Sequence, residues 1–166
     1  MITAYLRLCT EKYGRIKGAA FKTGQEGDIE VIAVDHGLFS PNDPFTGQVT
    51  GKRQYLPLSI LKETDMATPI LHRLLIEHVL IKQADIMFYG NSQTGRFGSG
   101  GLDTNIYTIT LYNAFVSRID FQMQNNRENE ENLLPMKEQV SFVYEAINWL
   151  WTDGNINVRD SVNASV

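Results

Sequence analysis

Residues 46–81, TGQVTGKRQYLPLSILKETDMATPILHRLLIEHVLI, decide the fold that this sequence predicts. They pass from a glycine-containing loop into a segment with β-strand character, turn at ETD, and then present the one convincing helix signal of the chain. Thr68 is expected to cap this helix through its hydroxyl, and Pro69 suits the first helical position because its missing N–H would be unpaired there. The spacing predicts a short amphipathic helix of about ten residues. Its apolar face carries Ile70, Leu71, Leu74 and Leu75, and its polar face carries His72, Arg73 and Glu77.

Most of the remaining sequence has the pattern of β-strands, in which side chains alternate between two faces. Residues 28–37, DIEVIAVDHG, are apolar on both faces and therefore need a cover on each side. Residues 52–61, KRQYLPLSIL, contain Pro57, which cannot donate a hydrogen bond within a sheet, so this strand is expected at an edge or to be irregular. The other predicted strands lie at residues 2–9, 80–89, 105–116 with a continuation through RIDFQMQ, and 137–151.

Several long strands, one helix and no βαβ alternation predict a mainly β fold. The alternatives are a β-barrel or two packed antiparallel sheets, with one short α-helix against them. One core suffices for 166 residues, so residues 1–166 are expected to form one domain with a C-terminal tail of about residues 152–166. In that tail only the Asp153-Gly154 turn candidate stands out. The apolar strand faces exceed what a lone barrel can bury, which predicts association between subunits.

The composition excludes several classes of protein. With 43% hydrophobic and 20% charged residues and a formal net charge of -4, the chain lacks the clustered basic residues that nucleic-acid binding requires. No apolar run is long enough for a membrane-spanning helix, so no membrane insertion is expected. The N-terminus has no continuous apolar region of the kind found in signal peptides, which predicts synthesis and folding in the cytoplasm.

Neither a disulfide nor a metal is expected to stabilise this fold. Cys9 is the only cysteine, so no intramolecular disulfide can form, and it is expected to be a small buried side chain. His72 and His78 are six residues apart and cannot share a metal as an i, i+4 pair could. No cofactor or metal site is predicted.

The sequence contains no convincing catalytic constellation. There is no nucleophile elbow, and the glycines near residue 100 lack the spacing and the lysine of a phosphate-binding loop. Asp35 and His36 form the one polar pair that ends an apolar strand, but adjacent strand residues point to opposite faces. The protein is therefore not expected to be an enzyme. A hydrolase that uses Asp35 and His36, and a monomeric β-barrel that binds a small molecule, remain the alternatives to a structural role.

Residues 37–51, GLFSPNDPFTGQVTG, are predicted to form a long loop. Loops of this length in compact domains tend to be functional or disordered. The apolar side chains of Phe39, Phe45 and Val49 favour a docking role.

The order of several motifs resembles the haemolysin-coregulated protein (Hcp) family, the inner-tube proteins of the bacterial type VI secretion system. These motifs are DIEVIAVDHG, a loop with P-x-D-x-x-T-G and then T-G-K-R, the TD/TP helix, a Y-G strand, YTITLYNAFV, and VSFVYEAINW before a closing DGNINVRDS. The resemblance covers about residues 5–161.

The resemblance implies a barrel of two β-sheets with one flanking helix, assembled as a homohexameric ring around a wide channel. In the family, rings stack into a tube inside a contractile sheath, carry a spike of the VgrG type, and are secreted without a signal peptide. Small effector proteins can travel in the lumen. The chain departs from relatives with a fused toxin domain, since it stops soon after Trp151, and no fused effector is expected. It also has Glu77-His78-Val79 in place of a glycine-rich turn, and an extended GRFGSGG loop.

On this basis three sets of residues are assigned to assembly. A closed ring requires two different patches on each copy, because one patch meets another on the neighbour. Lumen residues are expected at Asp35 and Ala33, and subunit contacts at His72, Arg73 and Glu77. The expected ring-stacking residues are Phe39, Asp43, Phe45, Thr46, Gln48, Lys52 and Arg53.

Overall fold

The computed structural model describes residues 2–90, 104–125 and 134–163. These residues form twelve strands and one helix. The helix is α1, Thr68–Ile76. The strands are β1 Thr3–Thr10, β2 Gly14–Ile16, β3 Ile29–Val31, β4 Ala33–Asp35, β5 Leu38–Phe39, β6 Gln54–Tyr55, β7 Leu58–Glu63, β8 Ile81–Gly90, β9 Thr104–Gln122, β10 Lys137–Val143, β11 Ala146–Trp151 and β12 Ile156–Ser161.

Two antiparallel sheets share one long strand, β9. In sheet A, β8 lies between β1 and β9, while β2 and β3 pair with the far side of β1. β11 and then β12 extend this sheet beyond β9. In sheet B, the order is β9, β10, β7 and β4. The first part of β9 pairs within sheet A, and residues 115–122 pair with β10. This shared strand of 19 residues fixes how the two sheets sit on each other.

Two predicted continuous strands are each divided between the sheets. Residues 28–37 form β3 in sheet A and β4 in sheet B, with a corner at Ile32, whose N–H donates to Leu61 O at 2.7 Å. Residues 137–151 form β10 in sheet B and β11 in sheet A, with the break at Tyr144 and Glu145. The prediction of single strands was wrong because residues on both sides of each corner are apolar, and alternation does not show where a strand changes sheet.

One apolar core lies among sheet A, sheet B and the helix. Leu6 and Ile86 enter it from sheet A, Ile60 and Phe142 enter it from sheet B, and all four are fully buried. The mainly β class with two antiparallel sheets and one short helix is confirmed. Among the described strands, no pairing joins the free edges of the two sheets, so they do not close into a continuous barrel.

The helix begins where it was predicted, but its first turn is capped differently. Its apolar face is confirmed, since Leu71 and Leu74 are buried in the core. The N-cap is Ala67, which contributes no side-chain cap bond, so the predicted capping role of Thr68 was wrong. The Thr68 hydroxyl instead accepts from the Asp65 N–H at 3.1 Å and donates to Glu138 Oε1 at 2.8 Å. A buried carboxylate next to the helix start competes successfully for the hydroxyl.

That carboxylate belongs to a buried ion pair. Lys62 Nζ donates to Glu138 Oε1 at 2.8 Å, and both residues are completely buried between β7, β10 and the start of the helix. Lys62 Nζ also lies 2.9 Å from Asp65 Oδ1 and donates to Glu63 O at 2.7 Å. This cluster attaches the turn before α1 to sheet B.

Three further expectations are settled by the strands. Pro57 interrupts the predicted strand between β6 and β7, which confirms the irregularity, although β7 itself pairs on both sides. Cys9 is exposed, so the expectation of burial was wrong, because Leu8 next to it takes the inward position on β1. Residues 156–161, expected to belong to a tail with little periodicity, form the outermost strand of sheet A. The GRFGSGG segment lies outside the described residues.

Candidate assembly surfaces

Residues 37–56 form a two-stranded arm where the sequence predicts a long loop. β5 pairs with β6 at its base, and an isolated bridge joins Asn42 to Val49 further out. Between them the Thr50 N–H donates to Pro41 O at 2.9 Å. Despite its prolines and glycines, which predict a loop, the segment keeps backbone hydrogen bonds between its two halves. It is therefore an extended hairpin.

Asp160 holds the base of this arm. Its carboxylate accepts from Arg53, with Nη2 to Oδ1 at 2.6 Å, and forms a further short bond with Arg53 Nε. The Tyr55 hydroxyl donates to the same carboxylate. The hydrogen bond from Arg53, and next the one from Tyr55, hold the pKa of Asp160 below its usual value. The arm is therefore attached to β12 by a charged contact.

The tip of the arm is a turn organised by Asp43. Its carboxylate accepts from the Phe45 N–H at 2.8 Å, and its carbonyl accepts from the Gly47 N–H at 2.8 Å. The bond from the Phe45 N–H, and next that from the Thr46 side chain, lower the pKa of Asp43. Gly47 has a φ of 70°, which glycine adopts without strain. The turn leaves the Phe45 side chain 96% exposed.

The residues assigned to ring stacking fall into two groups: Arg53 and Asp43 hold the arm in shape, and the others are exposed. Arg53 is bound to Asp160 and supports the arm from within its own chain. Asp43 shapes the tip. The other members of the set are exposed along the arm: Phe39, Phe45, Thr46, Gln48 and Lys52.

His36 lies in a cluster of aromatic side chains beside the arm. The Tyr144 hydroxyl is hydrogen bonded to His36 Nε2 at 2.6 Å and lies 3.1 Å from Leu56 O. Burial lowers the pKa of His36, against the opposing effect of the Asp35 charge, and burial raises the pKa of Tyr144. A phenol whose pKa is raised is a poor nucleophile. Trp149 completes the cluster, with its ring 6.3 Å from that of His36.

The residues assigned to the lumen, Ala33 and Asp35, lie on β4 and are exposed. Asp35 stands directly across from Ser59 on β7, and Ser59 from Ser141 on β10. The two serine hydroxyls are hydrogen bonded at 2.7 Å. This outer face of sheet B is therefore polar around Asp35, whereas the apolar face of residues 29–31 is buried in the core.

The polar side of the helix contacts the turn between β1 and β2. Glu77 Oε2 accepts from Lys12 Nζ at 2.6 Å and from the Tyr13 hydroxyl at 2.5 Å, and these contacts lower the pKa of Glu77. The Arg73 guanidinium lies 5.8 Å from the centre of the Tyr13 ring. His72 Nδ1 lies 2.9 Å from Thr68 O within the helix. All three residues assigned to subunit contacts thus have partners in their own chain.

An apolar groove opens at one end of sheet A, where β1 begins and β11 ends. We call it the end groove; its volume is about 410 Å³. The described residues that line it are Ile2, Phe88, Ile106, Tyr107 and Trp151, and they expose only apolar atoms to it. Nothing in the sequence pattern predicts this groove, because its residues come from four separate strands or their ends.

Neither a metal-binding group of side chains nor a membrane-spanning helix occurs in the described residues. Across residues 2–90, 104–125 and 134–163, no three histidine, cysteine, aspartate or glutamate side chains group in a way that could hold a metal ion. The helix in the same part of the chain is too short and too polar to cross a membrane.

A family model and a curated relative both match most of this chain. The family model described as "Type VI secretion system effector, Hcp" matches residues 5–151. The major exported protein of Pseudomonas aeruginosa is 28% identical over 155 residues, which cover 88% of this chain and 87% of that protein.

Solved structures agree with the family match. A mutant form of the Hcp1 protein from E. coli EAEC 042 pathovar is 30% identical, with a TM-score of 0.83 over 98% of this chain and 99% of that one. The secreted protein Hcp3 from Pseudomonas aeruginosa has a TM-score of 0.75 at 21% identity, over 99% of this chain and 100% of that one, and shows the same fold.

Two contacts at the base of the arm are not predictable from the sequence pattern. Asp160 lies in the segment expected to be a tail, and Tyr144 in a segment expected to be an uninterrupted strand. Each partner is more than one hundred residues away, since Arg53 and Asp160 are separated by 107 positions and His36 and Tyr144 by 108. The one local signal available is the aspartate within the alternating segment INVRDS.

Proposed function

Because the chain belongs to the Hcp family of the type VI secretion system, we propose that it is a single-domain subunit of the secretion tube. Six copies form a ring, rings stack into a tube, and a contractile sheath expels the tube with its spike. The observation that carries this proposal is the family match over residues 5–151, together with 30% identity to a solved Hcp1 protein along nearly the whole chain.

Open sheet edges support ring formation. Among the described strands, β4 pairs only with β7, and residues 117–122 of β9 pair only with β10, so both edges of sheet B carry free backbone groups. Exposed edges pair readily with another chain. Two different edges on one copy provide the heterologous contact that a closed ring needs. We place β4 of one copy beside the end of β9 of the next.

Under this arrangement the outer face of sheet B lines the channel. Ala33 and Asp35 then face the lumen, together with Ser59 and the exposed ion pair of Arg118 and Asp120. Short polar side chains with charges of both signs form a surface on which a small effector protein can travel without tight binding. The lumen role of Ala33 and Asp35 is part of the proposal.

The helix residues His72, Arg73 and Glu77 are proposed to shape a contact surface. Their contacts with Lys12 and Tyr13 fix the helix against the β1–β2 turn, and we propose that this shaped surface meets a neighbouring copy or the sheath. The arm, with its exposed apolar tip, is assigned to contact between rings.

Export is proposed from the relatives. One is named a major exported protein and another a secreted protein, and we infer that this chain assembles in the cytoplasm and leaves by the type VI route. A structural rather than catalytic role fits the His36 cluster, where the hydroxyl nearest the imidazole belongs to a tyrosine whose pKa is raised. The monomeric small-molecule binder is less well supported, because the described residues of the end groove expose no polar atom that would orient a ligand.

Negative-stain microscopy together with light scattering tests the proposal. Purified protein is expected to form rings with a central hole and a mass of six chains, and short stacks at high concentration. A uniform monomer without rings across the accessible concentrations would refute the tube subunit and favour the binding protein.

A further inference from the structure

The end groove is a receptor without an occupant among the described residues of its own chain. Its rim residue Ile2 is 66% exposed, and Trp151 at the other side is 46% exposed. Behind them the Phe88 and Tyr107 rings pack with centroids 5.6 Å apart, so the floor of the groove is aromatic. A hollow that exposes only apolar atoms gains most from an apolar side chain that displaces its water.

The arm presents an apolar side chain that its own chain leaves almost uncovered. Phe45 is 96% exposed at the tip, although exposing a phenyl ring to water is unfavourable. The backbone that carries it is held by the turn that Asp43 organises and by Asp160 at the base of the arm. A pre-organised projection loses little conformational freedom when it docks.

From these two surfaces we infer that the end groove of one copy receives the Phe45 side chain of another copy. This inference rests on the proposed function, since it requires copies of the chain to associate. An exposed projection and a complementary hollow at separate places on one chain are the two halves of a heterologous contact. The groove, at about 410 Å³, has room for a phenyl ring, because a cavity of roughly 150 Å³ already binds benzene.

The strength of such a contact follows from the area of one aromatic side chain. Burying a phenylalanine that is otherwise exposed favours association by roughly 10- to 100-fold for each contact. In a stack of rings the contact is repeated around the circle, so a modest preference in one copy becomes a strong preference in the assembly.

Site-specific cross-linking tests the contact while retaining Phe45. In a Cys9→Ser background, Gln48→Cys places a thiol near the tip and Ile2→Cys places one at the rim of the groove. A short bismaleimide is expected to join different copies through these two positions, giving dimers and a ladder of larger species on a denaturing gel. Adding Phe45→Ala is expected to reduce this product at least about tenfold, by the loss of one buried ring.

The matched control replaces Ile2→Cys with Phe21→Cys, because Phe21 is 87% exposed but lies outside the groove. Equal cross-linking at position 21, or cross-linking at position 2 that survives Phe45→Ala, would overturn the inference. Microscopy of the same samples separates the two proposals. Tubes or stacked rings without the cross-link between positions 48 and 2 would overturn the docking alone, whereas monomers without that cross-link would overturn both.

Discussion

At the scale of single residues, Asp160 decides how the arm is held. One carboxylate accepts from the Arg53 guanidinium and from the Tyr55 hydroxyl, and the weaker bond from Arg53 to Ser161 O depends on the same guanidinium. We expect Asp160→Asn to loosen the arm without unfolding the sheets, because the amide is neutral and donates where the carboxylate accepts. Limited proteolysis should then cut residues 41–51 several-fold faster.

The control for this prediction is Asp120→Asn. Asp120 also pairs with an arginine, Arg118, but the pair is exposed on sheet B and lies away from the arm. Equal cleavage rates in the wild type and the Asp160→Asn variant would show that pairing between β5 and β6 alone holds the base.

His36 makes a second prediction at this scale, which concerns pH. Because burial lowers its folded-state pKa, the neutral imidazole is favoured in the folded protein. This contribution to stability is fully present above the unfolded-state pKa of about 6.5 and is lost as the pH falls through the lower folded-state pKa. Acidification from about pH 7.5 to pH 5 is therefore expected to lower the midpoint of urea unfolding more in the wild type than in His36→Gln.

The carboxylates with lowered pKa, those of Asp43, Glu77 and Asp160, lose their contributions at lower pH than this window. The exposed His78 supplies the control, and His78→Asn suits its positive φ of 49°. The interpretation of His36 would be abandoned if His36→Gln kept the full loss of stability between these pH values.

The sequence allowed only part of this residue-scale picture to be predicted. Asp35 and His36 stand out because they are polar at the end of an apolar run, but adjacency says nothing about partners. The bonds of His36 to Tyr144 and of Arg53 to Asp160 form only after strands more than one hundred positions apart are brought together. Local pattern carries no information on such pairs.

At the scale of elements, the attachment of the helix to sheet B depends on the buried pair of Lys62 and Glu138. Glu138→Leu leaves the buried Lys62 charge with Asp65 as its remaining carboxylate partner in the described chain, so the free energy of unfolding should fall by less than the roughly 3–5 kcal/mol of a fully unpaired buried charge. The double variant Lys62→Met with Glu138→Leu should recover most of that loss, since an apolar pair can replace a buried ion pair at little cost. Urea titration followed by circular dichroism measures both.

The double variant also serves as the control for packing, because it keeps the leucine at position 138 and removes the Lys62 charge together with its contacts to Asp65 and Thr68. If Glu138→Leu and the double variant were equally stable, the loss of stability would come from packing and not from the buried charge. The remaining oxygen, Glu138 Oε2, is buried without a protein hydrogen-bond partner among the described residues, which adds to the cost of the native pair.

Elements with a clear period were predictable, and the places where they change sheet were not. The helix followed from the spacing of Leu71 and Leu74 and from Pro69, and β9 from its β-branched and aromatic residues. The corner at Ile32 has no such signal, because isoleucine is also a common residue in the middle of a strand. The arm was predicted to be a loop because it contains many prolines and glycines and only short stretches of strand-forming residues.

At the scale of the whole molecule, the surfaces left uncovered after folding are the ones that the proposed assembly would use. Among the described residues, sheet B has two open edges, the arm carries an exposed phenyl ring, and the end groove exposes only apolar atoms. The sequence predicted an excess of apolar faces and, through the family resemblance, a ring. The positions of these surfaces could not be predicted, because each is built from several strands.

The arm supplies the last prediction, which separates contact within a ring from contact between rings. Deleting residues 43–49 removes the tip and its Phe45 but leaves β5, β6 and the Asp160 anchor in place. Single rings should persist, because the edges of sheet B are untouched, while stacking and secretion should weaken. Microscopy with sedimentation measures ring and stack populations, and Phe21→Ala, a loss of another exposed phenyl ring, serves as the control. Undiminished tubes in the deletion variant would rule out stacking through the arm, and loss of the rings themselves would place the arm within the ring.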